Sequence, residues 1–467
     1  MRYISTRGEA PRLGFSEAML VGLARDGGLY TPLKPPLASP AEIRALSGLS
    51  YAEAATRLVE PFVDDEIDRV ELAALAKDAY AGFRHAAAAP LTQLDDNLFL
   101  LELFHGPTLA FKDFAMQWLG RMMNRALRRR QTRAAILGAT SGDTGAAAIA
   151  AFGGQSQTDV FILYPQGRIS DVQRRQMTTA DQPNVHAVAI EGTFDDCQAI
   201  VKALFNDLAF RDAMKLSGVN SINWARILAQ IVYYFTGAVA LGAPDRRVSF
   251  AVPTGNFGDV LAGYYAKRMG LSIDRLAIAT NENDILARTL ASGVYKPLGV
   301  KATQSPSMDI QISSNFERLL FEAYDRDAGA VRALMGALEQ SGEFTVAPGP
   351  LAAIRRDFDA YRVDEKACAE EIGRVYRESG VIIDPHTAVG VNAARRALAR
   401  DSATPVVALA TAHPAKFPDA VERAIGLRPA LPPPWRDIEA RRERLSVLSA
   451  DAAAVAQFVR ARARAAA

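Results

Sequence analysis

The stretch HGPTLAFKDFAMQ, residues 105–117, places one lysine, Lys112, between two phenylalanines at the predicted start of a helix. Gly106 and Pro107 stop regular structure before it, and apolar residues at helical spacing follow it. A lysine at this position is partly desolvated and lies near the positive end of the helix dipole, and both effects disfavour its ammonium form. The stretch therefore predicts a reactive amine of the kind that forms Schiff bases. Taken alone, however, such a lysine is more often a surface residue at a helix start.

The composition is typical of a globular protein whose partner is small. The chain has 467 residues, of which 49% are hydrophobic and 23% charged, and 54 basic residues balance 52 acidic ones to a net charge of +2. At about 100–200 residues per domain, two or three domains are expected. No basic block indicates nucleic acid, and no run approaches the roughly 20 apolar residues that cross a membrane. Cys197 and Cys368 cannot form a disulfide framework or a four-cysteine zinc site, so we expect core thiols in a reducing compartment.

From Leu98 onward, short apolar runs alternate with helical patterns. This alternation predicts βαβ units in mainly parallel sheets flanked by helices, which is an α/β fold. The preceding residues predict several helices separated by turns, at residues 16–24, 51–59 and 66–81. We also expect residues 438–467 to form a terminal helix. Strands are predicted at residues 134–139, 160–164, 185–190, 248–252, 276–280, 381–383 and 406–410.

Two glycine-bearing turns follow predicted strands and open predicted helices. The first is TSGDTG, residues 140–145, and the second is PTGNFGD, residues 253–259. In this arrangement, backbone N–H groups and the helix dipole receive an anion, although either turn alone is equally typical of an ordinary strand-to-helix connection. Neither is a Walker loop or a G-x-G-x-x-G motif. The pair favours two anions, such as a cofactor phosphate and a substrate carboxylate.

A third candidate, TAHPAKF at residues 411–417, follows the predicted strand 406–410 at the edge where parallel sheets bind ligands. Thr411 either offers its hydroxyl to a neutral ring nitrogen or only caps a turn. The turn DPHT, residues 384–387, is equally open. The five histidines include no helical i, i+3 or i, i+4 pair, and neither H-E-x-x-H nor G-x-S-x-G occurs, which argues against a helical zinc site and a serine hydrolase.

In this order, HGPTLAFKDFA, TSGDTG, PTGNFGD and ATAHPAKF resemble the threonine synthase family in its long bacterial and fungal form. The resemblance covers nearly the whole chain. It implies a pyridoxal-phosphate enzyme of fold type II, like the tryptophan synthase β chain, that converts O-phospho-L-homoserine and water to L-threonine and phosphate in the last step of threonine biosynthesis. The segments that extend it are LARDGGLY (23–30), EGTFDDCQ (191–198), NSIN (220–223) and DPHTAVG (384–390).

The resemblance also implies a domain division and a role for each motif. Residues 1–95 would form an N-terminal domain, and residues 96–467 a catalytic region with a smaller α/β subdomain at roughly 113–215 and a larger one from the remainder. Lys112 would be the Schiff-base lysine and the proton carrier, and Thr411 would face the pyridine nitrogen of the cofactor. The loop that would bind the cofactor phosphate consists of Gly255, Asn256, Phe257, Gly258 and Asp259.

The substrate contacts implied by the resemblance come from three segments. One segment would lie near the substrate carboxylate or the 3′-oxygen of the cofactor, and the other two offer cations for the substrate phosphate. Asp143 stands where many fold type II relatives carry asparagine, so its role stays open between holding the loop and meeting a protonated group. The implied residues are Ser141, Gly142, Asp143 and Thr144, then Arg168, then Ser221, Asn223 and Arg226.

Two other functions fit the same motifs. A related phospho-lyase would lose phosphate without adding water at Cβ, and would release an α-keto acid and ammonia. A catalytically silent relative would bind a phosphorylated ligand as a sensor, although the intact Lys112 argues against this alternative. In each case we expect a cytoplasmic monomer or homodimer whose partner is a small molecule, with no nucleic acid, membrane or metal.

Overall fold

Two sheets form the framework of the computed structural model, which describes residues 1–464. Their central strands coincide with the apolar runs of the sequence, because strands buried on both faces carry no alternating polar side. The strands are β1 (Tyr3–Ser5), β2 (Tyr30–Pro32), β3 (Leu91–Asp95), β4 (Leu98–Glu102), β5 (Ala134–Ala139), β6 (Thr158–Pro165), β7 (Val185–Glu191), β8 (Leu216–Ser217), β9 (Val248–Pro253), β10 (Ile273–Thr280), β11 (Val294–Tyr295), β12 (Phe344–Thr345), β13 (Phe358–Arg362), β14 (Val406–Ala410) and β15 (Ser446–Ser449).

Helices cover the faces of both sheets and make up most of the N-terminal part of the chain. The α-helices are α1 (Phe15–Val21), α2 (Pro40–Arg44), α3 (Tyr51–Val63), α4 (Arg69–Tyr80), α5 (Lys112–Arg129), α6 (Asp143–Phe152), α7 (Asp171–Thr178), α8 (Phe194–Asn206), α9 (Leu208–Met214), α10 (Trp224–Ala240), α11 (Gly258–Arg268), α12 (Ile285–Ser292), α13 (Phe316–Ala323), α14 (Ala328–Ser341), α15 (Pro348–Asp357), α16 (Glu365–Ser379), α17 (Pro385–Leu398), α18 (Pro418–Ile425) and α19 (Ala452–Arg460). Short 3-10 helices lie at Asp64–Glu66, Pro306–Met308, Pro414–Lys416 and Pro433–Trp435.

The smaller sheet has the order β15-β7-β6-β5-β8 and is parallel throughout. The larger sheet has the order β13-β10-β9-β14-β4-β3 and is parallel except that β3 runs antiparallel to β4. Parallel strands of one sheet end at the same edge. The loop after β5 therefore lies at the carboxyl edge of the smaller sheet, and the loops after β9 and β14 lie at the carboxyl edge of the larger sheet. The α/β prediction is therefore confirmed.

Helix α5 carries Lys112 at its first position and is deeply packed, as predicted. Its apolar side chains lie in one large cluster with residues of α3, α4 and α10. Trp224 at the start of α10 packs edge-on against Tyr265, with 4.9 Å between ring centroids, and lies near Tyr3 and Phe62 of the N-terminal part. The N-terminal helices thus pack directly against the helix that presents the lysine.

The predicted strands were confirmed at every position except residues 381–383. The strand prediction for residues 381–383 is wrong, because these residues form only a short irregular link between two helices. Gly380 ends α16 in a left-handed conformation (φ +74°), and Asp384 caps α17. The helix predicted at 16–24 ends earlier, at Val21, where Gly22 adopts φ +68°. The terminal helix is confined to α19, and the residues before it form β15; residues 465–467 of that prediction lie outside the described part.

The C-terminal segment completes the smaller sheet. Strand β15 pairs with β7, and Val455 and Val459 of α19 lie fully buried in the same apolar cluster as Cys197. Cys368 is buried in a separate cluster beside the larger sheet, so both cysteines are core thiols as expected. On this sheet membership, we propose that the smaller α/β subdomain includes β15 and α19 in addition to the strands of residues 113–215.

No helix within residues 1–464 is both long and apolar enough to span a membrane. In the same residues, His, Cys, Asp and Glu side chains form no cluster suited to a metal ion.

A charge on the buried face of α19 tests whether this segment holds the smaller sheet. Val459→Asp is expected to lower the free energy of unfolding by about 3–5 kcal/mol, because it buries an unpaired charge. Val447→Asp is the matched control, since Val447 lies on β15 but is 45% exposed. We expect a thiol reagent to modify Cys197 faster in Val459→Asp, and to modify Cys368 at the unchanged slow rate. Equal effects of the two substitutions would contradict this role.

Candidate active site

The lysine segment and the segment after β14 are joined by backbone hydrogen bonds. The N–H of Phe111 donates to the carbonyl of Thr411 at 2.9 Å, and the N–H of His413 donates to the carbonyl of Leu109 at 3.0 Å. Leu109 adopts φ +66°, a left-handed conformation that an apolar side chain rarely takes and that turns the chain toward α5. The start of α5 is thereby fixed at the carboxyl end of the larger sheet.

A buried carboxylate stabilises the loop before Lys112. Asp113 accepts hydrogen bonds from the N–H and the hydroxyl of Thr108, both at 2.7 Å. Burial raises the pKa of Asp113 to about 6, against the lowering effect of these bonds. A side chain at Gly106 would overlap Asp113, since a Cβ there would lie 2.4 Å from the Asp113 Cβ. The glycine of this motif is therefore required by close packing.

Lys112 itself is nearly buried, with its side chain 12% exposed. Its Nζ donates to Ser307 Oγ at 3.2 Å and lies 3.6 Å from Asp143 Oδ2, which makes an ion pair longer than a hydrogen bond. Burial lowers the pKa of the amine, Asp143 opposes this change, and the charges of Lys416 and Arg226 reinforce it. The surroundings of Lys112 thus shift its amine toward the neutral, nucleophilic form.

Asp143 opens α6 at the end of β5 and pairs with a second lysine. Lys416 Nζ lies 2.7 Å from Asp143 Oδ1, and its side chain is completely buried. Gln173 Nε2 also donates to Oδ1, at 2.9 Å, and Ser307 Oγ donates to Oδ2 at 3.1 Å. Burial acts to raise the pKa of Asp143, but the nearby lysines outweigh it and hold this pKa well below its ordinary range. The carboxylate is therefore ionised.

The turn before α6 is arranged around Thr140. Its hydroxyl accepts hydrogen bonds from the N–H groups of Gly142 and Gly145, both at 2.9 Å. Gly142 adopts φ +136°, and a Cβ there would collide with the amide of Gln173, so only glycine fits. No side chain caps α6. Ser141 and Thr144, the two predicted hydroxyl residues, are partly exposed beside these first-turn N–H groups.

The loop between β9 and α11 also leaves backbone donors free. Phe257 adopts φ +64° immediately before α11, and no side chain caps this helix. In the described chain, no backbone or side-chain acceptor pairs with the N–H groups of residues 255–260. The loop is held from behind, because Ser313 Oγ donates to the carbonyl of Gly255 at 2.6 Å and Asn315 Nδ2 donates to that of Asn256 at 3.1 Å.

Asp259 belongs to the same loop but its side chain points elsewhere. Its Oδ1 accepts hydrogen bonds from the hydroxyls of Tyr233 and Tyr234, at 2.5 and 2.9 Å. Burial raises the pKa of Asp259 to about 7, while the two tyrosine hydrogen bonds lower it. The carboxyl group therefore does not fill the end of α11, and Gly258 before it is partly exposed.

The residues predicted for the substrate phosphate lie in different environments. Arg226 is 4% exposed, donates through Nη1 to the carbonyl of Val219 at 2.8 Å, and has no partner for Nε among residues 1–464. Burial lowers its pKa to about 10. Asn223 caps α10 and donates to the carbonyl of Met19, so both its polar atoms are engaged. Arg168 is exposed.

Two other predicted residues, Ser221 and Thr411, differ in their exposure. Ser221 is partly exposed, and its carbonyl accepts a hydrogen bond from Asn315 Nδ2 at 3.2 Å. Thr411 is buried directly after β14 and is fixed by its backbone contact with Phe111.

Sequence analysis gave no role to Lys416, Ser307 or the Asp384–His386 pair that orients Ser307, although Lys416 and this pair lie in turns that it named as candidates. His386 Nδ1 lies 2.6 Å from Asp384 Oδ2, and His386 Nε2 accepts the N–H of Ser307 at 3.2 Å. Lys416 belongs to the quoted motif ATAHPAKF, and the need of Asp143 for a counter-charge is the signal that could have identified it. Ser307 lies in a short 3-10 helix within a largely irregular segment and carries no comparable signal.

Three family models match the chain. The model described as "Threonine synthase N terminus" matches residues 2–80, "Pyridoxal-phosphate dependent enzyme" matches residues 85–336, and "Threonine synthase, C-terminal" matches residues 387–459. Together they extend over most of the described chain, from the N-terminal helices to α19.

The chain is also similar to threonine synthases over nearly its full length. It is 51% identical over 460 residues to the enzyme of Pseudomonas aeruginosa, and the match covers 98% of each chain. The crystal structure of PLP-bound threonine synthase from Brucella melitensis has a TM-score of 0.97 at 58% identity, covering 99% of this chain and 100% of that one. The yeast threonine synthase structure has a TM-score of 0.94 at 41% identity and 98% coverage of both. The chain belongs to the threonine synthase family.

Proposed function

We propose that this protein converts O-phospho-L-homoserine and water to L-threonine and phosphate, with pyridoxal 5′-phosphate bound through Lys112. The observation that carries the proposal is the nearly buried Lys112 amine, whose pKa is lowered by burial, beside the carboxyl edges of both sheets, where the uncapped starts of α6 and α11 lie. Membership in the threonine synthase family gives this geometry its substrate and cofactor.

The donors of the site fit the cofactor. The free N–H groups of residues 255–260 and the positive end of α11 suit its phosphate, and Asp259 does not compete for them because its carboxyl group binds two tyrosines. Lys112 supplies the amine that binds the aldehyde. Thr411 would offer the pyridine nitrogen a neutral hydroxyl, which leaves that nitrogen without a proton.

When bound, pyridoxal phosphate supplies an electron sink for the negative charge that develops on substrate carbon. Lys112 would move protons at Cα and Cβ of the substrate, since burial lowers the pKa of its amine and Ser307 and Asp143 hold it nearby. The Ser141–Thr144 turn would receive the substrate carboxylate at the uncapped start of α6. Asp143 does not repel that carboxylate strongly, because Lys416 neutralises it.

Arg226 is the cation that we propose for the substrate phosphate. A buried guanidinium with an unpaired Nε retains a donor that an anion can satisfy, and its charge lies close enough to Lys112 to lower the pKa of that amine. Ser221 would line the same side, whereas Asn223 would act mainly by fixing the start of α10.

We propose a cytoplasmic location, supported by two buried cysteines that are both free thiols. We also propose that the protein is a monomer or homodimer acting on a small molecule without nucleic acid, supported by its nearly balanced charge of +2.

Covalent labelling tests the role of Lys112. Borohydride reduction of the cofactor-loaded protein is expected to fix pyridoxyl phosphate to the peptide that contains Lys112, because the lowered pKa leaves its amine free to bond. Peptide mass spectrometry locates the label. Lys416→Arg is a suitable control, because it keeps Lys112. Label on any other lysine, or equal labelling of Lys112→Ala, would refute the assignment.

The two arginines can be separated by matched substitutions. Arg226→Gln is expected to reduce kcat/KM for O-phosphohomoserine roughly ten- to more than a hundredfold, because one buried charge-assisted contact contributes about 1.5–3 kcal/mol. Arg168→Gln should change it only a few-fold, since Arg168 is exposed. Cofactor affinity, measured by fluorescence titration, should stay unchanged in both. Equal losses in the two variants would place the phosphate elsewhere.

Isotope labelling of the product tests the reaction itself. Loss of the γ-phosphate requires removal of protons from Cα and Cβ, and a proton must then return to Cγ. In deuterated water, threonine should therefore carry deuterium at Cα and in the methyl group, and its hydroxyl oxygen should come from labelled water. Mass spectrometry and NMR identify these positions. An α-keto acid would indicate the phospho-lyase alternative, homoserine would indicate direct hydrolysis, and no turnover would indicate a sensor.

A further inference from the structure

The two carboxylate oxygens of Asp143 have different partners. Oδ1 accepts from Lys416 at 2.7 Å and from Gln173 at 2.9 Å, so it is held by groups that do not touch Lys112. Oδ2 faces Lys112 Nζ at 3.6 Å and accepts from Ser307 Oγ at 3.1 Å. One oxygen therefore anchors the carboxylate, and the other contributes to a polar pocket around the lysine amine.

The Lys416 side chain has no solvent-exposed surface and is satisfied only locally. Besides Asp143, it donates to the carbonyl of Thr108 at 2.8 Å, in the loop that precedes Lys112. A buried ion pair of this kind contributes little net stability, because desolvation of both charges offsets their attraction. The position of the pair, in contact with both the lysine loop and the lysine amine, gives it a different use.

Ser307, which also lines this pocket, is held in place by residues other than Asp143 and Lys416. Ser307 donates its backbone N–H to His386 Nε2 at 3.2 Å, and His386 Nδ1 lies 2.6 Å from the fully buried Asp384. The Asp384 contact fixes the tautomer in which Nε2 accepts. The Ser307 hydroxyl is thereby held at 3.2 Å from Lys112 Nζ.

We propose that the buried Asp143–Lys416 pair is a positioning device: Lys416 fixes the carboxylate so that Asp143 Oδ2 and Ser307 Oγ form a docking place for the Lys112 amine whenever it is not bonded to the cofactor. The inference rests on the proposed function, because a reaction in which the substrate amine displaces Lys112 has to hold the released amine beside the substrate carbons. Asp143 is thus a partner of the lysine, and asparagine in its place would lack the charge that Lys416 requires.

The charges around Lys112 make the device measurable. Asp143 from α6 faces the amine, with Lys416 from the 3-10 helix Pro414–Lys416 and Arg226 from α10. His386 from α17 also acts on Asp143, and Asp113 of α5 lies near Lys416. Asp143 raises the proton affinity of Lys112 and Lys416 lowers it, so removing one partner at a time has opposite effects.

A double-substitution cycle on the cofactor-loaded protein tests the proposal. The measured quantity is the pH at which the visible absorption of the lysine-bound cofactor titrates. Asp143→Asn is expected to lower that pH by about one to three units, and Lys416→Met to raise it, because each removes one nearby charge. The double variant should titrate close to the unmodified protein. A purely structural role for Lys416 would give no opposed shifts.

Two further measurements make the test decisive. Lys267→Met/Asp357→Asn removes another lysine–aspartate pair of 2.7 Å, located away from Lys112, and should leave the titration unchanged. If Lys416→Met does not fold, the comparison of Asp143→Asn with the double variant suffices, because the double variant buries no unpaired charge. Identical titration of those two would overturn the proposal.

For Lys416→Met, we expect kcat to fall by about tenfold or more and KM to change little, because the Lys112 amine is positioned after substrate has bound. A rise in KM with unchanged kcat would contradict the positioning role. The identity of the product is a separate result. If the protein releases an α-keto acid but shows the opposed shifts, the proposed function is refuted and the positioning role of the Asp143–Lys416 pair is retained.

Discussion

The desolvation of the Lys112 amine is the constraint on which the active site depends. A lysine at the start of a packed helix loses hydration, and its ammonium form becomes unfavourable unless a carboxylate compensates. Asp143 supplies part of that compensation and raises the pKa of the amine. Lys416 and Arg226 limit the effect from two other directions. The pKa of the amine is therefore set by burial together with three nearby charges from separate parts of the chain.

This balance explains why residues at the carboxyl edges of two sheets have to meet. Lys112 comes from the helix that follows β4, Asp143 from the turn after β5, and Lys416 from the segment after β14. The backbone contact between Phe111 and Thr411 fixes the first and the third relative to each other. Gln173 and Ser307 then hold Asp143 from α7 and from the irregular segment before α13.

Sequence reasoning predicted those parts of the fold and site that have local causes. The strands that became the sheet centres are continuous apolar runs, and the two glycine turns carry their own backbone requirements, as Gly142 shows. Strand β13 was missed because its sequence, FDAYR, carries two charges and lies at a sheet edge. The pairing of Asp143 with Lys416 joins residues far apart in the chain, so no periodicity or spacing reports it. The buried state of Arg226 and the exposure of Arg168 likewise follow from tertiary packing.

The C-terminal position of β15 has a consequence for the order in which the protein matures during synthesis. Strand β7 has no neighbour on its outer side until Ser446–Ser449 leave the ribosome, although the other strands of the smaller sheet are made much earlier. An unpaired edge of that kind is a template for association between nascent chains. Because Lys416 also lies late in the chain, the lysine pocket cannot assemble before most of the protein has been translated. The pocket around Lys112 is therefore completed only after Lys416 has been made, and the edge of β7 stays unpaired until Ser446–Ser449 follow.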